Sequence, residues 1–236
     1  INNANGTIQG IWGVIADVGG GSTTAPGNFA QIIFTAKTIP GSTPITISHA
    51  LIGTPRATPV QIYIRHGTVT IGFNLTFTLK TGWNTLTLPF KEMGTAETLG
   101  NIIGVSDAIA TWDHVSQEYI IHPVGLSGQD FIIEPGHGYL IHVYEDTQFS
   151  ITGVIIDNLT LPITMGWNLV GWIHDIDTTA EQFGATIPGC DAVAKWNPAI
   201  QDYTIHPQTT PLDNFIIHQG DALFIHATQD STWYGK

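Results

Sequence analysis

The residues best suited to chemistry are four histidines. His122 and His142 are 20 positions apart, and so are His206 and His226, in two stretches that match each other. Imidazole is the commonest metal ligand in proteins. If strands Tyr119 to Pro123 and Tyr139 to Tyr144 are neighbours in a sheet, each pair forms a two-histidine metal site. The plainer alternative is strand residues that face solvent or bond to a carbonyl. No Cys, Asp or Glu at a matching spacing completes a ligand set, and no His-Glu-x-x-His occurs. The expectation is therefore no metal and no cofactor.

Carboxylates come next, because a glycosidase needs two of them about 5 to 10 Å apart. Glu97, Asp107, Glu118 and Asp146 recur as Glu181, Asp191, Asp202 and Asp230. Each also sits where a structural acid belongs: a helix first turn, two strand entries and a hairpin tip. Two copies of one catalytic site in one small chain would be unusual, so the pairs point away from catalysis. Nor does a Ser, His, Asp set stand out. Cys190 follows Pro188-Gly189 with no base nearby, and its counterpart in the first copy is Ser106, which reads as an inert thiol. The expectation is that the chain is not an enzyme.

Aromatic rings can stack on sugars, but most of the tryptophans have a structural reading. Trp83 matches Trp167 and Trp112 matches Trp196; Trp172 replaces Leu88 and Trp233 replaces Phe149, exchanges typical of a core. Only Trp12 stands alone. The stretch His174-Asp175-Ile176-Asp177-Thr178-Thr179 lacks the third acid, the Gly and the terminal Glu of a calcium loop, and reads instead as a capped helix start. Asn5, Asn74 and Asn158 open Asn-x-Ser/Thr sequons and are candidate glycosylation sites.

The elements that must position these residues are duplicated. Shifting the chain by 84 lays the residues from Asn74 onward on those from Asn158 to Lys236 without a gap, with 27 of 79 positions identical. The matches include Gly82-Trp83-Asn84 with Gly166-Trp167-Asn168 and His122-Pro123 with His206-Pro207. A repeated period fixes the architecture before any local reading. Residues present in both copies are expected to serve what both copies share, most simply folding.

Composition narrows the function. Of the 236 residues 11% are charged and 42% hydrophobic, as in a β-rich globular chain. Seven Lys plus Arg against 19 Asp plus Glu leave too few cations to neutralise a row of phosphates, so nucleic acid is not an expected partner. No apolar stretch approaches the roughly 20 residues of a membrane span. One cysteine excludes an intrachain disulfide, so stability outside a cell has to come from packing, glycans or assembly. The chain opens Ile1-Asn2-Asn3, without an initiator Met or a charged leader, as expected of a processed or excerpted chain.

Residues 1–72 stand outside the repeat and alternate as half-buried strands do, with Ala30, Ile32, Phe34 and Ala36 on one face of Phe29 to Lys37. Ile45 to Ile47, Val60 to Arg65 and Thr68 to Ile71 are further short strands. Pro40-Gly41, Thr54-Pro55 and His66-Gly67 read as the turns between them. Gly19 to Ser22 is a loop with no helix behind it. Each repeat begins with one strand through its Gly-Trp-Asn, Phe73 to Leu88 and Leu159 to Trp172. Thr95 and Thr179 then cap a short helix. Strands are expected over 108–112, 119–122, 131–133, 139–144 and 148–152, with equivalents at 192–196, 203–206, 215–217 and 222–227.

Asn5-Gly6-Thr7-Ile8, Gly27 to Phe34 and His66 to Ile71 together resemble the second half of a cohesin domain over about 70 residues. That resemblance implies part of a nine-stranded β-sandwich found in cellulosome scaffolds and in surface proteins of archaea and bacteria. The first several strands of such a sandwich are missing here, which leaves edges for something else to pair with. Gly-Trp-Asn together with the closing Gly136-His137-Gly138-Tyr139-Leu140-Ile141 is similar to a repeat of large prokaryotic extracellular proteins.

The fold expected is mainly β: a partial cohesin-like β-sandwich (1–72) plus two tandem, homologous small β-rich domains (73–156 and 157–236), each with one short helix. The function expected is a non-enzymatic, extracellular cell-surface subunit. It would form a homo-oligomer or polymer, a filament or sheet, through the exposed strand edges of residues 1–72, with an extended segment such as Ile1 to Ile15 completing the next subunit's sheet. The alternative is a binding module for a dockerin-type protein or a polysaccharide.

Overall fold

The computed structural model describes residues 41–46, 52–53, 59–60, 67–156 and 158–235. It divides into two compact units, Ile1–Ile71 and Gly72–Lys236. In the first unit, β1 (Gly41–Ile45) pairs antiparallel with β4 (Gly67–Ile71), and β2 (Ile52–Gly53) pairs with β3 (Pro59–Val60). Gly41 thus opens a strand instead of lying in a turn, and β1 ends at Ile45, leaving exposed Thr46 outside it. The Phe29 to Lys37 strand, Trp12, Asn5, the Ile1 to Ile15 segment and most of the residues that resemble a cohesin lie outside the described residues.

The second unit holds both repeats. The first contains β5 (Phe73–Leu79), β6 (Gly82–Thr87), α1 (Ala96–Ile103), β7 (Ser106–Asp113), β8 (Glu118–Pro123), β9 (Gly138–Val143) and β10 (Thr147–Gly153). The second contains β11 (Leu159–Ile163), β12 (Gly166–Gly171), β13 (Thr178–Thr179) and α2 (Ala180–Ala185), then β14 (Cys190–Asn197), β15 (Asp202–Pro207), β16 (Ile216–Ile217), β17 (Ala222–Ala227) and β18 (Ser231–Gly235). The chain is mainly β, with one short helix in each repeat.

Each repeat builds one four-stranded antiparallel sheet, in the order β6-β9-β7-β8 and again β12-β17-β14-β15. A two-stranded ribbon stands beside each, β5 with β10 and β11 with β18. The single long strand expected through Gly-Trp-Asn is therefore two strands in different sheets. Asn84 makes the break: its Oδ1 accepts from Lys80 N at 2.8 Å, and its Nδ2 donates to the carbonyls of Lys80 and Gly82. Asn168 does the same for Thr164 and Gly166. A buried amide that satisfies a turn's backbone groups closes that turn as firmly as a ladder would. The strand expected over 131–133 is only a bridge, Thr95 to Ile132, and its counterpart shrinks to two-residue β16 paired with β13.

Both helices start as their sequences require. The hydroxyl of Thr95 accepts from Thr98 N, and Thr179 forms a full capping box with Gln182. Leu99 and Ile103 of α1 sit against Ile109 and Ile141 on the outer face of the first sheet. Phe183 of α2 sits against Val193 and Ile225 on the second. The inner faces meet in a third core of Ala110, Leu140, Leu169, Ala194, Ala222 and Phe224. The unit is thus four layers: helix, sheet, sheet, helix.

Candidate functional site

Strand order separates the histidines. β7 runs between β8 and β9, so the neighbouring strands that a two-histidine site requires do not occur. Cross-strand register aligns His122 with Ile109 and Ile141, which places it on the helix side of the sheet. His142 lies on the opposite face, its ring 5.1 Å from that of Trp83. Each imidazole has a local partner. His122, 3% exposed, bonds Glu97 at 2.7 Å; His142 bonds Asp107 at 2.6 Å; His226 bonds Asp191 at 2.7 Å; buried His206 bonds the Leu212 carbonyl at 2.7 Å. Among the described residues no three His, Cys, Asp or Glu side chains gather as a metal-binding group.

The repeated acids are spread over the same scaffold. Glu97 lies in the first turn of α1, where Gly125 N–H and then the His122 ring hold its carboxyl below the usual carboxylate range. Glu118 and Asp202 open β8 and β15 and are exposed. Glu181 pairs with Asn214 at 3.1 Å. Asp146 and Asp230 cap matching hairpins, accepting from Thr81 N and Met165 N at 2.8 Å.

Asp146 gives a pH prediction. Hydrogen bonds from Lys80, then from the amide and hydroxyl of Thr81, hold its carboxyl down to about 2 against an ordinary 3.8. A carboxylate lowered by folding stabilises the fold above its unfolded value and loses that contribution as pH falls through the folded one. Asp146→Asn is therefore expected to lower the melting temperature above pH 4, with a deficit that shrinks as pH falls toward 2. Thermal melts of both proteins between pH 2 and pH 7 check this; an equal deficit at every pH would refute it.

The duplicated tryptophans hold the two copies together. Trp112 Nε1 donates to the Trp167 carbonyl at 2.8 Å, and Trp196 Nε1 donates to the Trp83 carbonyl at 2.7 Å. Gln117 clamps Trp167 with one bond from Trp167 N (2.8 Å) and one to Trp167 O (2.9 Å); Gln201 clamps Trp83 likewise, at 2.8 and 3.0 Å. The exchange continues in Thr87 N to Gly220 O and Gly171 N to Gly136 O. Each of these bonds has its mirror at an offset of 84, so the repeats are related by a local two-fold axis. Residues shared by both copies thus serve the joint between the copies, in addition to the fold of each.

This joint explains the glycines of the motif. Gly82 and Gly166 have φ of +99° and +103°, and a Cβ on either would lie 2.7 Å from the clamping amide oxygen of Gln201 or Gln117. Gln117 and Gln201 themselves take positive φ, 58° and 55°, strain that their paired bonds hold in place. The sequence reading missed both glutamines, although the 84-residue offset does match them.

On the axis, Tyr119 of β8 and Tyr203 of β15 meet, and a pocket lies on each side of the pair. One, of about 210 Å³, is lined by Trp112, Tyr119, Trp167, Tyr203, Ile205 and Phe224. The other, of about 280 Å³, is lined by Trp83, Tyr119, Ile121, Leu140, Trp196 and Tyr203. The two linings exchange under the same offset, with Leu140 in the place of Phe224. Burial, and then the adjacent Tyr119, push the Tyr203 hydroxyl above its ordinary value, so it remains protonated at neutral pH.

The remaining candidates are structural. Trp172 and Trp233 are buried, at 7% and 0% exposure, as their apolar counterparts suggest. Burial pushes the Cys190 thiol up to about 11, which keeps it protonated at neutral pH, and its Sγ points to the Ala192 carbonyl across a β-bulge. Thr179, at the end of the stretch weighed as a calcium loop, is the cap of α2, and Asp177 bonds His218 at 2.9 Å. Asn74 and Asn158 are both exposed, as are Thr76 and Thr160 of their sequons. Among the described residues no helix is long and apolar enough to cross a membrane. Comparison with protein-family models, with curated proteins and with solved structures finds no match for this chain.

Proposed function

We propose that this chain is a non-enzymatic subunit of an extracellular surface assembly, a filament or sheet whose copies join head to tail through strand edges of residues 1–72. The observation that carries this reading is where the chemistry-bearing residues are used. The repeated Trp and Gln side chains are consumed in the joint between repeats. The hydrogen-bonded His rings turn to Glu97, Asp107, Asp177, Asp191 and a carbonyl, so that among the described residues no Ser, Thr or Cys side chain is held against a His base. Two repeats clamped face to face make a stiff body suited to bearing load, and exposed Asn74 and Asn158 offer places for glycans.

A head-to-tail contact propagates unless its rotation closes. Native material is therefore expected to sediment as large species and to show filaments or sheets by electron microscopy, and removal of residues 1–15 to return it to monomers. Monomers alone at high concentration would overturn the proposal. A second reading, a binding module for a dockerin-type protein or a polysaccharide, draws on one observation: the pair of aromatic-walled pockets that flank the two-fold axis.

A further inference from the structure

We propose that His206 and Glu181 form an acid-operated latch: when His206 takes a second proton, the Glu181 carboxylate leaves Asn214 and closes on the His206 ring. The latch stands independently of the assembly reading. It follows from the two copies of one site, which the structure holds in two different states.

In the first repeat Glu97 bonds His122 Nε2 at 2.7 Å. Glu181 is the second residue of α2, as Glu97 is of α1, and His206 is the fifth residue of β15, as His122 is of β8. The two rings also point the same way. A Cβ on Gly128 would lie 3.8 Å from His122 Nδ1, and Leu212, which matches Gly128, accepts from His206 Nδ1 at 2.7 Å. In both copies Nδ1 thus faces the loop after the strand, and Nε2 is the nitrogen on the side of the helix acid.

The copies differ in which nitrogen is used. Carboxylates and carbonyls only accept, so the proton sits on Nε2 in His122 and on Nδ1 in His206. Among the described residues nothing bonds the second nitrogen of either ring, and both of these atoms are buried. Glu181 is engaged elsewhere: its Oε2 accepts from Asn214 Nδ2 at 3.1 Å, while Asn214 Oδ1 accepts from Glu181 N at 3.0 Å. The first repeat has Asp130 in place of Asn214. Asp130 Oδ1 accepts from Glu97 N at 3.1 Å but has no N–H to offer in return, so the Glu97 carboxylate turns to His122 and to Gly125 N. One residue exchange accounts for both states.

A second proton tips the second repeat into the state of the first. It would place a charged N–H on Nε2 of a fully buried ring with no acceptor, which is costly unless a carboxylate closes on it. Of the charged groups on the elements around His206, Lys195 of β14 is tied to Asp221 at 2.5 Å and Asp191 is bonded to His226 on the other face of the sheet. Asp213 of the loop and Asp202 at the start of β15 are exposed. Exposed Glu181 is left as the acid whose counterpart already makes this contact. The exchange needs a protonated imidazole beside an ionised carboxylate, a condition that ordinary groups meet at about pH 5 to 6. His122 changes no partner over the same range, because Glu97 is already in place.

The test is nuclear magnetic resonance of the histidine ring nitrogens and asparagine side-chain amides of the full-length chain, from about pH 7.5 to about pH 4.5. At neutral pH His206 is expected as the Nδ1–H tautomer and His122 with its proton on Nε2. As His206 Nε2 gains its proton, the Asn214 amide signals are expected to shift with the same midpoint. Glu181→Gln is expected to displace the His206 transition to lower pH by about half a unit or more, and Glu97→Gln to leave it in place. Asn214→Asp, which copies the first repeat, is expected to move the neutral-pH proton of His206 to Nε2. An Nε2–H tautomer of His206 in the parent protein at neutral pH, Asn214 signals that do not follow the ring, or a His206 transition indifferent to Glu181→Gln would each overturn the proposal. So would protonation of His206 only as the whole chain unfolds, or an unchanged tautomer in Asn214→Asp.

Discussion

Trp233→Ala is expected to destabilise the chain by about 3–5 kcal/mol, and to lower its melting temperature by roughly 6–20 °C. Trp233, in β18, is fully buried, and its ring meets that of Phe183 edge-on at 5.3 Å. Its Nε1 donates to Thr186 Oγ1 at 3.1 Å. Truncation removes one of the two tryptophans of the second repeat's core and leaves a cavity that α2 and β11 fill only in part. The first repeat supplies the milder comparison, because its equivalent of Trp233 is Phe149. Trp233→Phe keeps most of the contact surface and loses the hydrogen bond, and is expected to cost about 1–2 kcal/mol. Urea denaturation of the three proteins checks the order; equal midpoints for the Ala and Phe variants would refute it.

Gly171→Ala is expected to cost about 1–3 kcal/mol for a different reason, overpacking. Gly171 ends β12 in ordinary strand geometry, so alanine meets no backbone obstacle there. Space is the obstacle: an added Cβ would fall 2.1 Å from Thr87 Cβ and 2.0 Å from its hydroxyl. Thr87 cannot swing aside, since it is fully buried and its hydroxyl donates to the His137 carbonyl at 2.7 Å. Thr87→Gly in the same protein opens the space. The double variant is expected to be more stable than the sum of the single changes by at least about 1 kcal/mol. Strict additivity would mean that the two residues do not compete for one volume.

Much of this fold is legible in the sequence because its causes are local. Thr95 and Thr179 cap helices whose first turns follow at once, and short apolar runs, buried on both faces, mark β9 and β17. The 84-residue offset announces two similar bodies. What it leaves open is whether a matched residue faces its own copy or the other one. Trp112 and Trp196 look the same in sequence whether they fill two cores or bridge two repeats, and the bridge depends on contacts more than 50 residues apart in the chain. Gln117 and Gln201 carry no type-specific clue, since an exposed glutamine on a turn is ordinary until the facing tryptophan backbone is known. The break inside the Gly-Trp-Asn strand is hard to read because Asn84 and Asn168, which close it through side-chain bonds to the turn, lie inside the following strand. The aromatic pockets draw their lining from side chains of both repeats, so neither repeat alone encodes them.

Thr87 and Gly171 occupy equivalent places in their repeats and meet across the axis, as do Gly138 and Ala222, where a Cβ on Gly138 would lie 3.0 Å from that of Ala222. At these two positions the halves are complementary as unlike partners. If the first repeats of two chains paired with each other, Thr87 would meet Thr87 in space that does not admit a single additional Cβ. If two second repeats paired, Gly171 would face Gly171 across a gap. When many copies fold in close company, this mismatch rejects pairing of like with like and sends each repeat to an unlike partner, the nearest of which is on its own chain.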